Sequence, residues 1–495
     1  MKRLSLVVIA AALSACASMA PQYERPAAPV GQDWPEGPAA AAAAAAPGAD
    51  GAATASADMP WRDFIADDRL ERLVDIALEQ NRDLRIAALD IERARALYQI
   101  EGAARFPAID ATGSGTHQRM PADLSMTGQS ATTHTYGASV GIASYELDLF
   151  GRVRSLRDAA LEQYFATGEA RRSVAISLIA EISRAWVALA ADQARLELVS
   201  DTLANREAAH KLVVRSHELG VASALDLRQS QTTVESARAD LARFQRLLAQ
   251  DRNALALLVG APVPAELLPG PDLDRVVAVT RIAPGLPSEV LQQRPDVAQA
   301  ERLLRAANAD IGAARANFYP SIGLTAGIGT ASSELSGLFD GGSGTWNFIP
   351  SIRMPIFDGG RNRALLEVAE VDRDIAVARY ERAVQSAFRE VADALAQQGT
   401  INDEIAAQTA LLEATTEANR LADLRFRQGV DSYLAVLDAQ RSLYAAEQGL
   451  IELRAARSAN LVTLYRALGG GWSAADEVDH AGIPAGLESS TANHR

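Results

Sequence analysis

Six histidines, a single cysteine and a surplus of carboxylates are the groups from which this chain of 495 residues could build a reactive centre. His210 and His217 stand seven apart on a long periodic stretch, and His117 and His134 sit at the ends of a polar connection. Neither pair has the spacing of a zinc site, so surface roles are expected for all four. Ser, Gly and Asp cluster in turn-like segments, with no phosphate-cradling loop and no nucleophile elbow. No catalytic residue, metal or cofactor is therefore expected, and the runs of Glu and Arg read as solvated helix faces. The formal net charge of -14 excludes a nucleic-acid partner, because a phosphate backbone needs a dense Lys and Arg face that is nowhere concentrated here.

The position with a defined chemical use is Cys16. Lys2 and Arg3 precede an apolar stretch from Leu4 to Leu13 that is too short to span a bilayer, the pattern of an export signal over 1–15. Leu13, Ser14, Ala15 and Cys16 match the bacterial lipoprotein processing box, whose small residues admit the peptidase and whose thiol takes the lipid. Cys16 is thus the expected mature N-terminus, carrying S-diacylglycerol and N-palmitoyl groups. A lone cysteine cannot form an internal disulfide. Ala17 stands where an Asp would imply inner-membrane retention, so resemblance to outer-membrane lipoproteins implies outward sorting. Residues 16–60 are rich in Pro and Ala, including the run Ala39 to Ala46, and read as a flexible tether.

The elements that follow are doubled. Leu78, Gln80, Asp83 and Ala87 recur as Leu291, Gln293, Asp296 and Ala300, and Pro107, Ile109 and Thr112 recur as Pro320, Ile322 and Thr325, all displaced by 213 residues. Gly151, Arg152, Glu181, Gly220, Val221, Leu225, Gln231 and Gly260 recur as Gly360, Arg361, Glu390, Gly429, Val430, Leu434, Gln440 and Gly469, displaced by 209. Two copies of one structural unit explain both offsets, with the length change confined to the polar segment between the blocks.

Within each copy the hydrophobic period changes. Ile322, Leu324, Ala326 and Ile328 alternate with small or polar residues, as do Trp346, Phe348, Ile352, Met354 and Ile356. Ile109 and Ala111, then Tyr136, Ala138, Val140 and Ile142, repeat the pattern more faintly in the first copy. Lipid outside and water inside a transmembrane barrel would explain it, and so would a soluble half-buried sheet. Each hairpin leads into a helical stretch free of Pro, from Gly151 to about Glu218 and from Gly360 to about Gln428. At about 1.5 Å per residue each would reach roughly 100 Å. Ile179, Ile182, Trp186, Leu189 and Leu196 form a heptad-like seam that needs a neighbouring helix. Ser223 to about Val259 and Ser432 to about Leu468 supply return helices, each entered through a helix-ending Gly and a Ser cap, Gly220 with Ser223 and Gly429 with Ser432. Four strands cannot close a barrel, and a lipid-exposed sheet edge has no partner for its backbone groups. Either several chains pool their strands or the strands lie outside the membrane.

The segment Pro284, Gly285, Leu286, Pro287, Ser288, then Arg294, Pro295, Asp296, Ala300, Glu301, then Phe318, Tyr319, Pro320 resembles the signature of the TolC-like outer-membrane efflux factors, in the NodT-type lipoprotein branch serving resistance-nodulation-division pumps. Pro355 to Arg361 is similar to that family's strand-to-helix junction, and Tyr433 to Arg441 to its periplasmic hairpin tip. The resemblance covers roughly Trp61 to Trp472. It implies a mixed α and β membrane protein, a homotrimer in which four strands per chain complete a twelve-stranded barrel continued by a periplasmic α-helical barrel. It implies three partners besides outer-membrane lipid: further copies of the chain, a periplasmic adaptor and a resistance-nodulation-division transporter. Leu434, Asp438 and Arg441 match the gate positions, while Ala435 stands where some relatives carry a second acid. Gly220, Val221, Ser223, Gly429, Val430 and Asp431 would form the adaptor-contact tips. The division expected is 61–260 for the first repeat, with a hairpin at about 106–149 and a helical hairpin at 151–259, then a connector over 261–295. The second repeat is 296–470, with a hairpin at about 319–357 and a helical hairpin at 360–468, and a tail follows over 471–495. The function implied is passive exit of drugs or other small molecules. A type I protein-secretion channel and a pore-less lipid-anchored scaffold are the alternatives.

Overall fold

The computed structural model describes residues 18–470 apart from 32, 39–40, 42–53, 56–58, 127, 274–275, 280 and 283–293. Cys16, the signal segment, the motif Pro284 to Ser288 and the tail lie outside the described residues. The main elements are α1 (Asp68–Gln80), α2 (Arg82–Ala103), β1 (Asp110–Met120), β2 (Ala131–Leu147), α3 (Arg152–Glu218), α4 (Ala224–Val259), α5 (Pro295–Ala316), β3 (Ser321–Ser332), β4 (Gly344–Arg353), α6 (Arg361–Arg427) and α7 (Tyr433–Ala467). The repeat is kept residue for residue: α2 and α5 begin and end 213 apart, and α3 and α6 begin and end 209 apart. α3 and α6 are each 67 residues long.

The chain divides into two compact units, each drawing on both sequence repeats. The first comprises Met1–Ala27, Leu89–Gly168 and Gln299–Glu381 and contains one four-stranded antiparallel sheet in the order β1-β2-β3-β4. Its register sorts side chains by polarity. Ala111, Val140, Ile328 and Trp346 form one row across the four strands, with Ile142, Ala326 and Phe348 in the next row of the same face. Thr112, Ser139, Gly329 and Thr345 form a row on the other face, beside Asp110, Gly141, Gly327 and Asn347. A bulge between Ile142 and Tyr145 inserts one extra residue into β2 opposite Ala326 and Leu324. The insertion resets the two-residue period, so that Tyr145 and Leu147 rejoin the apolar face and Glu146 falls on the polar one. The apolar face lies bare: Val140, Ile328, Trp346, Phe348 and Ile352 are all exposed, as is every residue of the edge strands β1 and β4. A soluble half-buried sheet would have covered it.

At the helix end of this unit, Arg152 forks onto Glu146 at 3.0 and 2.6 Å, and Asp148 accepts the amide of Arg154 at 2.8 Å, starting α3 on charge-assisted bonds. In the second copy Asp358 accepts the amides of Gly360 and Asn362. The stretch expected to be an unpacked tether is docked along α5. Glu301 receives Tyr23 Oη at 3.1 Å, Arg25 Nε at 3.0 Å and Arg305 Nη2 at 2.7 Å, and Asn308 donates to the Pro21 carbonyl at 2.8 Å. Gly312 lets the strand pass, since a Cβ there would run into the Ala20 backbone and the Ser155 hydroxyl. Composition could not reveal this docking, because its partners lie nearly 300 residues away.

The second unit comprises Ala28–Ala88, Glu169–Ala298 and Arg382–Arg495; among its described residues the regular elements are helices, with the two-residue parallel pair Thr54–Ala55 and Arg281–Ile282 and an isolated antiparallel bridge between Ile65 and Val277. The predicted seam forms its core, with Ile179, Ile182, Trp186 and Leu189 buried and Leu196 partly so. Leu70, Leu73 and Val74 of α1, Leu255 and Val259 of α4, Leu395 of α6 and Leu461 and Leu464 of α7 close around it. Each such side chain contributes about 1.5–3 kcal/mol on burial. Phe64 stacks on Tyr465 at 4.2 Å, and Trp34, from the tether stretch, stacks on Phe388 at 5.2 Å. Asp192, 7% exposed, receives Arg195 at 2.8 Å and lines the same pocket as Asp251, whose Oδ2 is buried without a hydrogen-bond partner. Burial, then the Asp192 charge, push the Asp251 carboxyl up to about 6. A carboxyl raised in the folded state holds its proton more tightly than in the unfolded chain. Its contribution to stability is therefore full at low pH and lost as pH rises through about 4 to 6. Thermal melts should show Asp251→Asn stabilised relative to wild type at pH about 7.5, with the difference vanishing near pH 4. Equal differences at both pH values would refute the raised Asp251 carboxyl.

Candidate functional site

The positions expected to form the gate, Leu434, Asp438 and Arg441, lie in the second unit, where α7 begins. Tyr433, Val436 and Leu437 are buried in a small cluster with Val213 of α3, and the Tyr433 ring meets Phe426 at 5.2 Å. That contact fixes the rotation of α7 about its axis. Leu434, Asp438 and Arg441, spaced by four and three, fall on the opposite, open stripe: Leu434 is 47% exposed, and the Asp438 and Arg441 side chains are 58% and 73% exposed. Arg441 Nη1 reaches Asp438 Oδ1 at 3.4 Å, an i,i+3 ion pair in solvent worth at most about 0.5 kcal/mol. The three residues are thus brought together on one face, free of any packing role.

The two hairpin turns end their long helices alike, Gly220 at φ +73° and Gly429 at φ +72°, left-handed conformations that favour glycine at a helix end. They then diverge. Ser223 Oγ accepts the Asp226 amide at 3.1 Å while Asp226 Oδ2 accepts the Ser223 amide at 3.0 Å, a complete capping box. Ser432, expected to cap α7 in the same way, makes no side-chain cap bond. Its third residue on is Ala435, which has no carboxylate to return the bond. Asp431 instead takes a fork from Arg425 at 2.5 and 2.9 Å, which holds the Asp431 carboxyl below its ordinary range. Val221, Val430 and Leu219 stand exposed at the tips.

Sequence reasoning missed the contacts that lock the first helical hairpin to α7. Arg206 of α3 lies over the Tyr444 ring at 5.3 Å and donates to the Thr233 carbonyl at 3.0 Å, and Tyr444 Oη donates to Asp240 at 3.4 Å. Only the fold joins these positions, and no local motif marks them. The helix histidines serve the first hairpin: His210 Nδ1 bonds Ser230 Oγ at 2.8 Å, and His217 Nδ1 bonds the Ala222 carbonyl at 2.9 Å. His117 and His134 do not sit at loop ends; they are register partners inside β1 and β2. Among the described residues no three or more His, Cys, Asp and Glu side chains gather as metal ligands.

The chain thus combines two 67-residue helices, two copies of one unit and a four-stranded sheet with bare outer edges. Residues 73–261 and 286–470 match the family of outer membrane efflux proteins. The chain belongs to this family. The Pseudomonas putida probable efflux pump outer membrane protein TtgC is 47% identical over 469 residues, which cover 95% of each chain. A crystal structure of a membrane protein from Pseudomonas aeruginosa, 47% identical, covers 92% of this chain and 100% of its own with a TM-score of 0.84. The open state of the Neisseria gonorrhoeae MtrE outer membrane channel, 40% identical, covers 92% of this chain and 98% of its own with a TM-score of 0.80. This efflux protein is accordingly a protein of the outer membrane in a transport family, not an enzyme family, and its mixed helical and stranded fold is the one its resemblance implied.

Proposed function

We propose that three copies of this chain pool their strands into a twelve-stranded barrel and their helices into a periplasmic tube, forming the passive exit duct of a tripartite pump for drugs or other small molecules. The observation that carries this reading is the sheet. One face is apolar and bare, the other is small and polar, and the outer edges of β1 and β4 have no strand partner among the described residues. In hydrocarbon such edges must find partners, and further copies of the same chain supply them. A pore-less scaffold would have no use for a polar sheet face opposite an apolar one. The names of TtgC and MtrE support efflux as the cargo path. The open stripe of Leu434, Asp438 and Arg441 is the gate, in which three leucines would narrow and dewet the aperture and three carboxylates would favour cations. The tips Gly220, Val221, Ser223, Gly429, Val430 and Asp431 meet the helical hairpin of a periplasmic adaptor, which links the duct to an inner-membrane transporter of the resistance-nodulation-division class. Cys16 carries the lipid, and the repeats run over 61–260 and 296–470 about a connector at 261–295.

Purified protein added to a planar lipid bilayer should insert as discrete, uniform conductance steps. Absence of steps, also in variants with a widened gate, would sink the duct reading. In cells fed radiolabelled palmitate, Cys16→Ser should abolish labelling; label retained by this variant would place the lipid elsewhere or nowhere.

A further inference from the structure

His117 and His134 face each other as register partners across β1 and β2. Their Nδ1 atoms are in direct contact, with the rings edge to face and centroids 4.7 Å apart. Tyr136, next along the same face, stands edge-on to His117 at 5.5 Å and limits its rotation. Both histidines are exposed. Three register pairs separate them from the turn at 121–130, at the end of the hairpin away from α3. The two described helix histidines, His210 and His217, differ in kind, since each spends its Nδ1 on a hydroxyl or carbonyl of its own hairpin.

We propose that His117 and His134 together chelate a borderline divalent transition ion, zinc, copper(II) or nickel, one per chain, near the outer end of the β1–β2 hairpin. Two facing imidazole nitrogens can be reconciled in two ways. In the absence of metal one ring donates its N–H to the other. When a metal enters, the donating ring gives up its Nδ1 proton to solvent and takes one up at Nε2, so both rings stay neutral, both Nδ1 lone pairs bind the ion, and no oxidation state changes. The paired strands fix both backbones, so little freedom is lost on binding. An all-nitrogen donor pair selects zinc, copper and nickel and passes over calcium and magnesium, which take oxygen ligands. With only two protein ligands the remaining positions stay open to water. Arg119, the next residue on this face and paired with Thr132, favours an anion such as phosphate or hydroxide among them. The site is therefore exchangeable, and a bound ion would cross-link the hairpin. This inference rests on strand register and is independent of the duct reading.

The test uses the full-length protein purified in detergent without a polyhistidine tag. Substoichiometric copper(II), read by electron paramagnetic resonance, should show two coordinating nitrogens. Zinc competed against a chromophoric chelator should saturate at one ion per chain. His117→Asn and His134→Asn, chosen to keep a polar side chain of similar size, should each weaken zinc by roughly tenfold or more, as befits the loss of a direct ligand. His210→Asn should bind as wild type does. Unaltered affinity in either strand variant, or no saturable site in the wild type, would overturn the proposal. Bilayer conductance of the same samples reports separately on the duct.

Discussion

Replacing Arg294 with alanine should be the most damaging single substitution in the helical unit. Its guanidinium is 5% exposed and spends every arm: Nε and Nη2 fork onto Asp296 at 3.0 and 2.7 Å, Nη2 also meets Glu390 at 3.1 Å, and Nη1 donates to the Ala467 carbonyl at 2.8 Å. Arg466 reaches the same Glu390 oxygen at 3.3 Å. One side chain thus ties the start of α5 to α6 and to the last turn of α7. Burial alone would raise the Asp296 carboxyl, but the hydrogen bonds and charge of Arg294 outweigh it and hold that carboxyl below its ordinary range. Truncation would leave Asp296, whose side chain is 38% exposed, and the more buried Glu390 without their partner; breaking a buried pair on one side costs about 3–5 kcal/mol, and water reaching Asp296 puts this one toward the lower end. For a chain of this size that is a fall of roughly 3–5 °C in the thermal midpoint, read as loss of native oligomer on heating. Arg294→Lys should recover only part, because an ammonium cannot reproduce the fork. Because Asp296 is depressed, the stability it brings is present above the usual carboxylate range and is lost as pH falls through it. The gap between wild type and Arg294→Ala should therefore narrow on acidification. A midpoint for Arg294→Ala within about 2 °C of wild type would show that the fork is not what secures these helix ends.

The second large effect is on conduction with little effect on stability. Leu434→Ala combined with Asp438→Ala should raise single-channel conductance several-fold, because in the proposed gate the first removes the dewetting side chain and the second the carboxylate ring. Asp438→Ala alone should lower the preference for cations over anions, and Arg441→Ala should free the Asp438 carboxylate and raise that preference. None of the three side chains is buried, and the Asp438–Arg441 pair is exposed, so the melting midpoint should move by less than about 1 °C. This separation tells a gate from a packing residue. A wild-type conductance trace from the double variant would remove Leu434 and Asp438 from the aperture.

Residue order by itself determined the plan of this protein. Two constant offsets revealed the repeat, and α2 against α5 and α3 against α6 obey them to the residue. Period two marked the strands and the heptad-like seam marked the helical core, because these periods express which face of an element must leave water. The tertiary structure decided what depends on residues far apart in the chain. The β2 bulge keeps one face apolar past Ile142, a matter of which strand lies opposite and in what register. The N-terminal stretch looks like a tether by composition yet docks on Glu301 and Asn308, partners that no local window contains. The two tips read alike in sequence, but Ala435, where the first copy has Asp226, leaves Ser432 uncapped, and Arg425 and Asp431, where the first copy has Ser216 and Ala222, hold the turn instead. His117 and His134 became a facing pair only once the hairpin register was set. Periodicity reports the burial that each residue needs, whereas contact geometry depends on which distant segment satisfies it.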